Sequence, residues 1–233
     1  MMIHSIYSAT EGEGIYIGTP QVFVRFRGCT LKCKNCDSIY TWGHGNENDR
    51  WSMESVLAEI NEVSHNGKIQ RVSITGGDPL DDNNIGDVLM LSGELKSKGY
   101  FVNVEASGNK IDHRVFDLVD FISIDFKTPS SGIETPLEIL ASMERQYHGK
   151  FQVKSVIQDE RDFNIVYQAY YLLAGEMPDM NFSWCLTPAY NLEEKFPHER
   201  FQNVLKWNEK AGGYFRVIGQ QHKWIFGPDK KDV

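Results

Sequence analysis

Gly28-Cys29-Thr30-Leu31-Lys32-Cys33-Lys34-Asn35-Cys36-Asp37-Ser38 follows directly on the apolar run Val22-Phe23-Val24 and sets three cysteines in the spacing C-x3-C-x2-C. Three thiolates on one short loop leave a coordination position open on a metal ion or cluster, and an open position is where chemistry takes place. A closed structural zinc site asks for four protein ligands, and His44, eight residues past Cys36, is the local candidate for the fourth. Lys32, Lys34 and Asn35 intervene and make the segment a polar loop, so buried structural thiols fit it poorly. A loop of this kind at the carboxyl end of a strand suits a four-iron cluster on Cys29, Cys33 and Cys36, with one iron free to hold a small chelating ligand. The fourth cysteine, Cys185, lies within Phe182-Ser183-Trp184-Cys185-Leu186 and reads as an inert thiol in a buried strand.

Beyond the loop, apolar runs alternate with helical patterns, the mark of βαβ units and a mainly parallel sheet. The runs predict strands over 22–26, 71–74, 101–105, 121–124, 151–156, 181–186 and 214–218. Between them Ser52 caps a first helix whose Val56, Leu57, Ile60 and Val63 recur at helical spacing, and further helices are expected over 84–98, 112–118, 136–147, 163–175 and 197–210. Gly99 and Gly212 stand where two of them should stop. About six such units make an α/β fold in the form of a partial (β/α) barrel, with a flat doubly wound sheet as the structural alternative and a single domain over 1–233. In either arrangement ligands collect at the carboxyl ends of the strands.

The 233 residues are 41% hydrophobic and 24% charged, ordinary for a globular chain. A net charge of -8 argues against nucleic acid as a partner, whose phosphates are met by Lys and Arg. No apolar stretch approaches the length needed to span a bilayer, so no membrane partner is expected. The opening Met-Met-Ile-His-Ser-Ile-Tyr-Ser lacks a basic segment followed by an apolar one, and a cytoplasmic location is the default expectation.

The cysteine spacing after a first strand resembles that of radical S-adenosylmethionine enzymes. In that family the free iron takes the amino and carboxylate groups of S-adenosylmethionine and the cluster cleaves it to a 5'-deoxyadenosyl radical. Ile74-Thr75-Gly76-Gly77-Asp78-Pro79, one βα unit later, is similar to the family's Gly-Gly-Glu-Pro segment with aspartate for glutamate. Alone it is also a plain turn. Glu105-Ala106-Ser107-Gly108-Asn109, Ser123-Ile124-Asp125-Phe126-Lys127 and Leu186-Thr187-Pro188 close later strands. The resemblance implies a 4Fe-4S cluster on Cys29, Cys33 and Cys36. It also implies S-adenosylmethionine held by Asn35, Cys36, Asp37, Gly77, Asp78, Ser107, Asp125, Phe126, Lys127, Leu186, Thr187 and Pro188.

Ser8-Ala9-Thr10-Glu11-Gly12-Glu13-Gly14, the run Val22-Phe23-Val24-Arg25-Phe26-Arg27-Gly28-Cys29, the continuation Asp37-Ser38-Ile39-Tyr40-Thr41-Trp42 and the late His222-Lys223-Trp224-Ile225-Phe226-Gly227 resemble the 7-carboxy-7-deazaguanine synthase family. That family contracts the ring of 6-carboxy-5,6,7,8-tetrahydropterin with loss of ammonia, on the route to 7-deazapurines such as queuosine and archaeosine. It implies a pterin substrate bound by Thr10, Glu11, Gly12, Glu13, Arg25 and Thr75. Arg25 offers a planar fork suited to a carboxylate, and its place in an apolar strand favours an inward aim. Where the family commonly carries threonine on a Mg2+ ion this chain has Ser38, and where it commonly carries glutamine this chain has Glu11. A flavodoxin or ferredoxin as electron donor and a homodimer are further expectations from the resemblance. A glycyl-radical activating enzyme shares the cysteine spacing and is the enzymatic alternative; a non-catalytic zinc module is the other.

Overall fold

The computed structural model describes residues 1–192 and 194–233 of the chain. Eight strands form one sheet, β1 (Ile3–Thr10), β2 (Pro20–Phe26), β3 (Arg71–Gly76), β4 (Phe101–Ala106), β5 (Phe121–Asp125), β6 (Phe151–Ile157), β7 (Ser183–Pro188) and β8 (Arg216–Val217). Among the described residues seven α-helices follow β2 to β8 in turn: α1 (Met53–Val63), α2 (Ile85–Ser97), α3 (His113–Leu118), α4 (Leu137–Tyr147), α5 (Glu160–Glu176), α6 (His198–Ala211) and α7 (Gln221–Phe226). The strands lie in sequential order from β1 to β8, antiparallel at β1–β2 and parallel thereafter. A doubly wound sheet reverses its strand order partway. This sheet does not reverse, so right-handed crossovers place every helix on one face and leave the other concave. The result is the expected partial barrel, not closed.

Strand alternation divides the sheet into two faces. Val22, Val24, Phe26, Val72, Ile74, Val102, Val104, Ile122, Ile124 and Val153 point to the helices and are fully buried in one continuous core. Each buried aliphatic or aromatic side chain of this kind contributes roughly 1.5–3 kcal/mol. The opposite parity is polar: Arg25, Ser73, Thr75, Asn103, Glu105, Ser123, Asp125, Gln152 and Lys154 face inward, in mutual register from strand to strand. They form a hydrogen-bonded lattice, with Asn103 donating to Ser73 Oγ at 2.8 Å, Gln152 donating to Ser123 Oγ at 2.8 Å and Ser73 donating to Glu105 at 2.7 Å.

The helices start and stop where the sequence places their signals. Ser52 Oγ accepts from Ser55 N at 3.0 Å at the head of α1, and Gly212 ends α6 in the left-handed conformation at φ 109°. Two elements were not expected. The first is β1, whose apolar residues Ile3 and Ile6 are three apart because the pairing register shifts between Ile3 and Ser5; such a bulge hides the two-residue period. The second is α7, a short helix whose residues Trp224, Ile225 and Phe226 are exposed. The strand expected over 214–218 contracts to Arg216–Val217, and that over 181–186 begins at Ser183 and runs on to Pro188. Among the described residues no helix is long and apolar enough to cross a membrane.

Candidate functional site

The concave face encloses a cavity of about 1010 Å3, lined by the three clustered cysteines, the ends of the parallel strands and the segment that follows β1. The cysteine loop leaves β2 through Gly28, whose φ of 93° turns the chain sharply. Backbone bonds then hold it: Gly28 N donates to Thr41 O at 2.7 Å, Cys29 N to Trp42 O at 3.4 Å and Lys34 N to Ser131 O at 2.8 Å. Cys29, Cys33 and Cys36 are free thiols on the wall of the same cavity, whereas buried Cys185 is outside that wall and burial pushes its thiol up to about 11. Burial also raises Cys33 and Cys36, opposed at Cys33 by the Lys127 ammonium and at Cys36 by the Ser38 backbone N–H and the Trp42 indole.

Among the described residues no three His, Cys, Asp or Glu side chains converge on a point suited to one metal ion. Three unpaired thiols spread along one cavity wall are the donor set that a multi-iron cluster takes, one thiolate for each of three irons.

The glycine pair beside this loop makes a cradle. A Cβ on Gly77 would stand 2.2 Å from Gly28 O, and one on Gly76 would stand 2.2 Å from Phe26 O, so a side chain at Gly77 would displace the start of the cysteine loop and one at Gly76 the end of β2. Asp78 N donates to Gly28 O at 2.9 Å and locks the two segments together. Asp78 itself is buried behind the wall, where its carboxylate accepts from Ser107 Oγ at 2.6 Å and from Leu80 N at 3.1 Å; burial raises its pKa. Ser107, Asp125, Lys127 and Thr187 line the cavity, as do Asn35 and Asp37. Lys127 Nζ donates to Asp125 at 2.6 Å, and Thr187 Oγ1 is buried without a hydrogen-bond partner. That unpartnered hydroxyl is a ready contact for a polar ligand.

Phe126, Leu186 and Pro188 lie on the other parity of their strands, facing the helices and away from the cavity. Phe126 meets Trp184 edge to face there. The residues singled out by motif thus split between wall and support according to the two-residue period of the strands.

Thr10, Glu11, Gly12, Glu13, Arg25, Ser38 and Thr75 all line the cavity. Arg25 Nη2 donates to Tyr7 Oη at 2.8 Å and Nη1 to Ser38 Oγ at 3.5 Å, while Nε is buried without a hydrogen bond. Ser38 Oγ also donates to Asp37 at 3.1 Å. Asp37 pairs with Lys223 at 3.3 Å; burial would raise its carboxyl, but Lys223 and Arg25 hold it well below the usual carboxylate range. Glu11 is buried, accepting from Gln21 Nε2 at 2.7 Å and Glu13 N at 3.1 Å. Burial, with Glu105 and Glu13 nearby, raises it to about 7.

Several wall residues were not singled out by sequence. Lys154 reaches Glu105 at 3.1 Å and Glu13 at 3.5 Å, and Gln220 Nε2 donates to Glu13 at 2.6 Å. Lys154 carries the same signal that marked Arg25, a lone cation in an apolar strand. Tyr7 and Gln220 sit on or beside the two unexpected elements, where no periodicity pointed to them, while His222 and Lys223 belong to the late segment that carries the resemblance but had no site role assigned. The last residues also enter the site: Asp232 Oδ1 lies 3.9 Å from Arg25 Nε, and the Lys231 ammonium stands 4.1 Å over the Tyr40 ring.

The sequence profile of the Radical SAM superfamily matches residues 23–179. A 7-carboxy-7-deazaguanine synthase of Leptospira interrogans is 32% identical over 249 aligned positions, covering 98% of this chain and 96% of that one. The enzyme of the same name from Koribacter versatilis is 28% identical over the whole of both chains. Among solved structures, QueE from Escherichia coli superposes with a TM-score of 0.69 at 23% identity, covering 94% of this chain and 93% of that chain.

Proposed function

We infer the reaction from the premise that this chain belongs to the Radical SAM superfamily and, within it, to the 7-carboxy-7-deazaguanine synthase family. It is a lyase that converts 6-carboxy-5,6,7,8-tetrahydropterin to 7-carboxy-7-deazaguanine and ammonia in 7-deazapurine biosynthesis. Substrate and products balance without a net oxidant or reductant. The observation that carries this reading is the meeting, in one cavity, of the Cys29-Cys33-Cys36 loop, the Gly76-Gly77 cradle and the inward guanidinium of Arg25.

Cys29, Cys33 and Cys36 would hold the 4Fe-4S cluster, and Gly77, Ser107, Asp125, Lys127 and Thr187 would surround S-adenosylmethionine. When bound, the two supply a radical that takes a hydrogen atom from the substrate. The chain's own residues position the pterin and exclude water. Arg25 pairs with the substrate carboxylate, supported by its buried, unbonded Nε. Glu13 and Thr75 face the polar edge of the ring, while Thr10, Glu11 and Gly12 shape its backbone-lined side. Mg2+ is the finer part of this proposal: Ser38 Oγ, beside both Arg25 and Asp37, is the hard oxygen that would take it together with substrate oxygens and water. A flavodoxin or ferredoxin donor and a homodimer belong to the same proposal and rest on the family.

The test is anaerobic reconstitution with iron and sulfide, followed by incubation with reductant, S-adenosylmethionine, the carboxypterin and Mg2+. Formation of 7-carboxy-7-deazaguanine with one ammonia per turnover is the expected result. Iron-loaded protein that leaves the pterin intact would overturn the assignment.

A further inference from the structure

Arg25 does not stand alone in the wall. Tyr7 on β1 pairs with Phe23 on β2 across the antiparallel ladder, and the two rings stack at 5.3 Å with an interplanar angle of 15°. That stack holds the phenol on the concave face, where it lines the cavity next to Arg25. Arg25 Nη2 lies 2.8 Å from Tyr7 Oη. Arginine only donates, so the direction of this bond is fixed: the tyrosine oxygen accepts. The hydroxyl's own proton is therefore turned elsewhere, and no acceptor for it is found among the described residues. Burial pushes the Tyr7 hydroxyl up to about 12, so the proton stays in place at neutral pH.

The guanidinium is also only partly used. Its Nη1 contact with Ser38 is long at 3.5 Å, and its Nε has no hydrogen-bond partner. The group nearest that Nε is a carboxylate of the chain itself, Asp232, whose Oδ1 lies 3.9 Å away and accepts from Ser5 Oγ at 3.1 Å. Ser5 pairs with Arg25 across the same ladder. The edge shared by Tyr7, Arg25 and Ser5 thus already draws in a carboxylate.

We propose that Tyr7 is a further substrate-binding residue, whose O–H donates to the substrate carboxylate beside Arg25 and so helps select for that group. The proposal rests on the reading that Arg25 takes the substrate carboxylate. A neutral donor added to a cation gives the carboxylate a second directed hydrogen bond, one that a phenylalanine at position 7 would lack. Asp232 must give way when the substrate enters, since both carboxylates seek the same cation.

Tyr7→Phe keeps the ring stack and removes only the hydroxyl. With the iron-loaded protein, this variant is expected to raise KM for 6-carboxytetrahydropterin on the order of tenfold, with a much smaller change in kcat. Equilibrium binding of the 6-methyl analogue, which has neither charge nor acceptor at that position, is expected to be equal in the variant and the unsubstituted protein. A role confined to bracing the strand would weaken both ligands alike, and that result, or no change in either, overturns the proposal. Binding of S-adenosylmethionine serves as the folding control. Should Tyr7→Phe fail that control, 3-fluorotyrosine at position 7 is expected to tighten binding of the carboxylate alone, and unchanged binding would count against Tyr7. If the unsubstituted protein neither binds nor converts the pterin, the functional assignment itself has failed and Tyr7 falls with it; a normal enzyme with an indifferent Tyr7 removes only this proposal.

Discussion

Lys154 on β6 and Glu105 on β4 meet at 3.1 Å across the concave face, reaching over the intervening strand β5. Glu13 joins the same ammonium from the segment after β1 at 3.5 Å, so one cation holds carboxylates from two distant parts of the chain. Both side chains of the Lys154–Glu105 pair are less than one-fifth exposed.

Lys154→Met is expected to destabilise the protein by about 3 kcal/mol or more, because it leaves the carboxylates facing one another without their cation. Chemical denaturation at neutral pH checks this. The Lys154 pKa is raised well above its usual value, with Glu105 and Glu13 outweighing the effect of burial. Its stabilising contribution is therefore complete below the unfolded pKa near 10.4 and unchanged between pH 6 and 9.

Glu11 predicts a pH dependence of opposite consequence. Its folded pKa is raised to about 7, so the folded protein holds a proton that the unfolded chain has released. The stability this gives is present below the unfolded pKa near 4.5 and is lost as pH rises through about 7, up to about 3 kcal/mol in all. Glu11→Gln is expected to flatten that slope and to exceed the parent in stability at pH 8. Denaturation midpoints at pH 5.5 and pH 8 decide it; parallel losses in both proteins would assign the slope to other groups.

The proposed cluster ligands are expected to separate from the fourth thiol. Cys29→Ala, Cys33→Ala and Cys36→Ala are each expected to lose the brown colour and most of the iron after reconstitution, whereas Cys185→Ala retains about four irons. Iron and sulfide analysis reads the outcome, and retention of a full cluster by any of the first three would remove that residue from the ligand set.

Gly77→Ala places a methyl group against Gly28 O, where 2.2 Å of space remains. Relief requires the cysteine loop and the glycine segment to part. We expect binding of S-adenosylmethionine to fall at least tenfold and stability to drop by about 1–3 kcal/mol. Equilibrium dialysis and a thermal melt measure the two separately.

For Ser38, alanine is expected to raise the Mg2+ concentration needed for half-maximal activity by roughly tenfold, and threonine to restore it, since both hydroxyl residues offer the same hard oxygen. Equal Mg2+ dependence in all three proteins would place the ion elsewhere or nowhere.

The parallel strands and their helices were legible because each repeats a strong period and closes with a cap or glycine, as at Ser52 and Gly212. β1 was not, because its bulge spaces Ile3 and Ile6 as no regular strand would. Tyr7 and Ser5 were missed with it. The motifs mark segments that reach the cavity, yet they do not say which residues of Asp125-Phe126-Lys127 or Leu186-Thr187-Pro188 face it; strand parity decides that, and parity needs the register. Glu11 is a different case. Sequence alone sets a negative charge beside an anionic substrate, whereas burial of this side chain favours its neutral form, close in shape and polarity to the glutamine common in the family.

The alternation of the strands has a bearing on descent as well as on architecture. Odd and even positions of the same segments answer to separate demands, one set to the apolar layer beneath the helices and the other to whatever occupies the hollow. Substitutions can accumulate along one set while the other stands still, so a lineage can re-fit what the hollow holds without repacking the apolar layer, provided that the Lys154–Glu105 pair, on which the fold also leans, is kept.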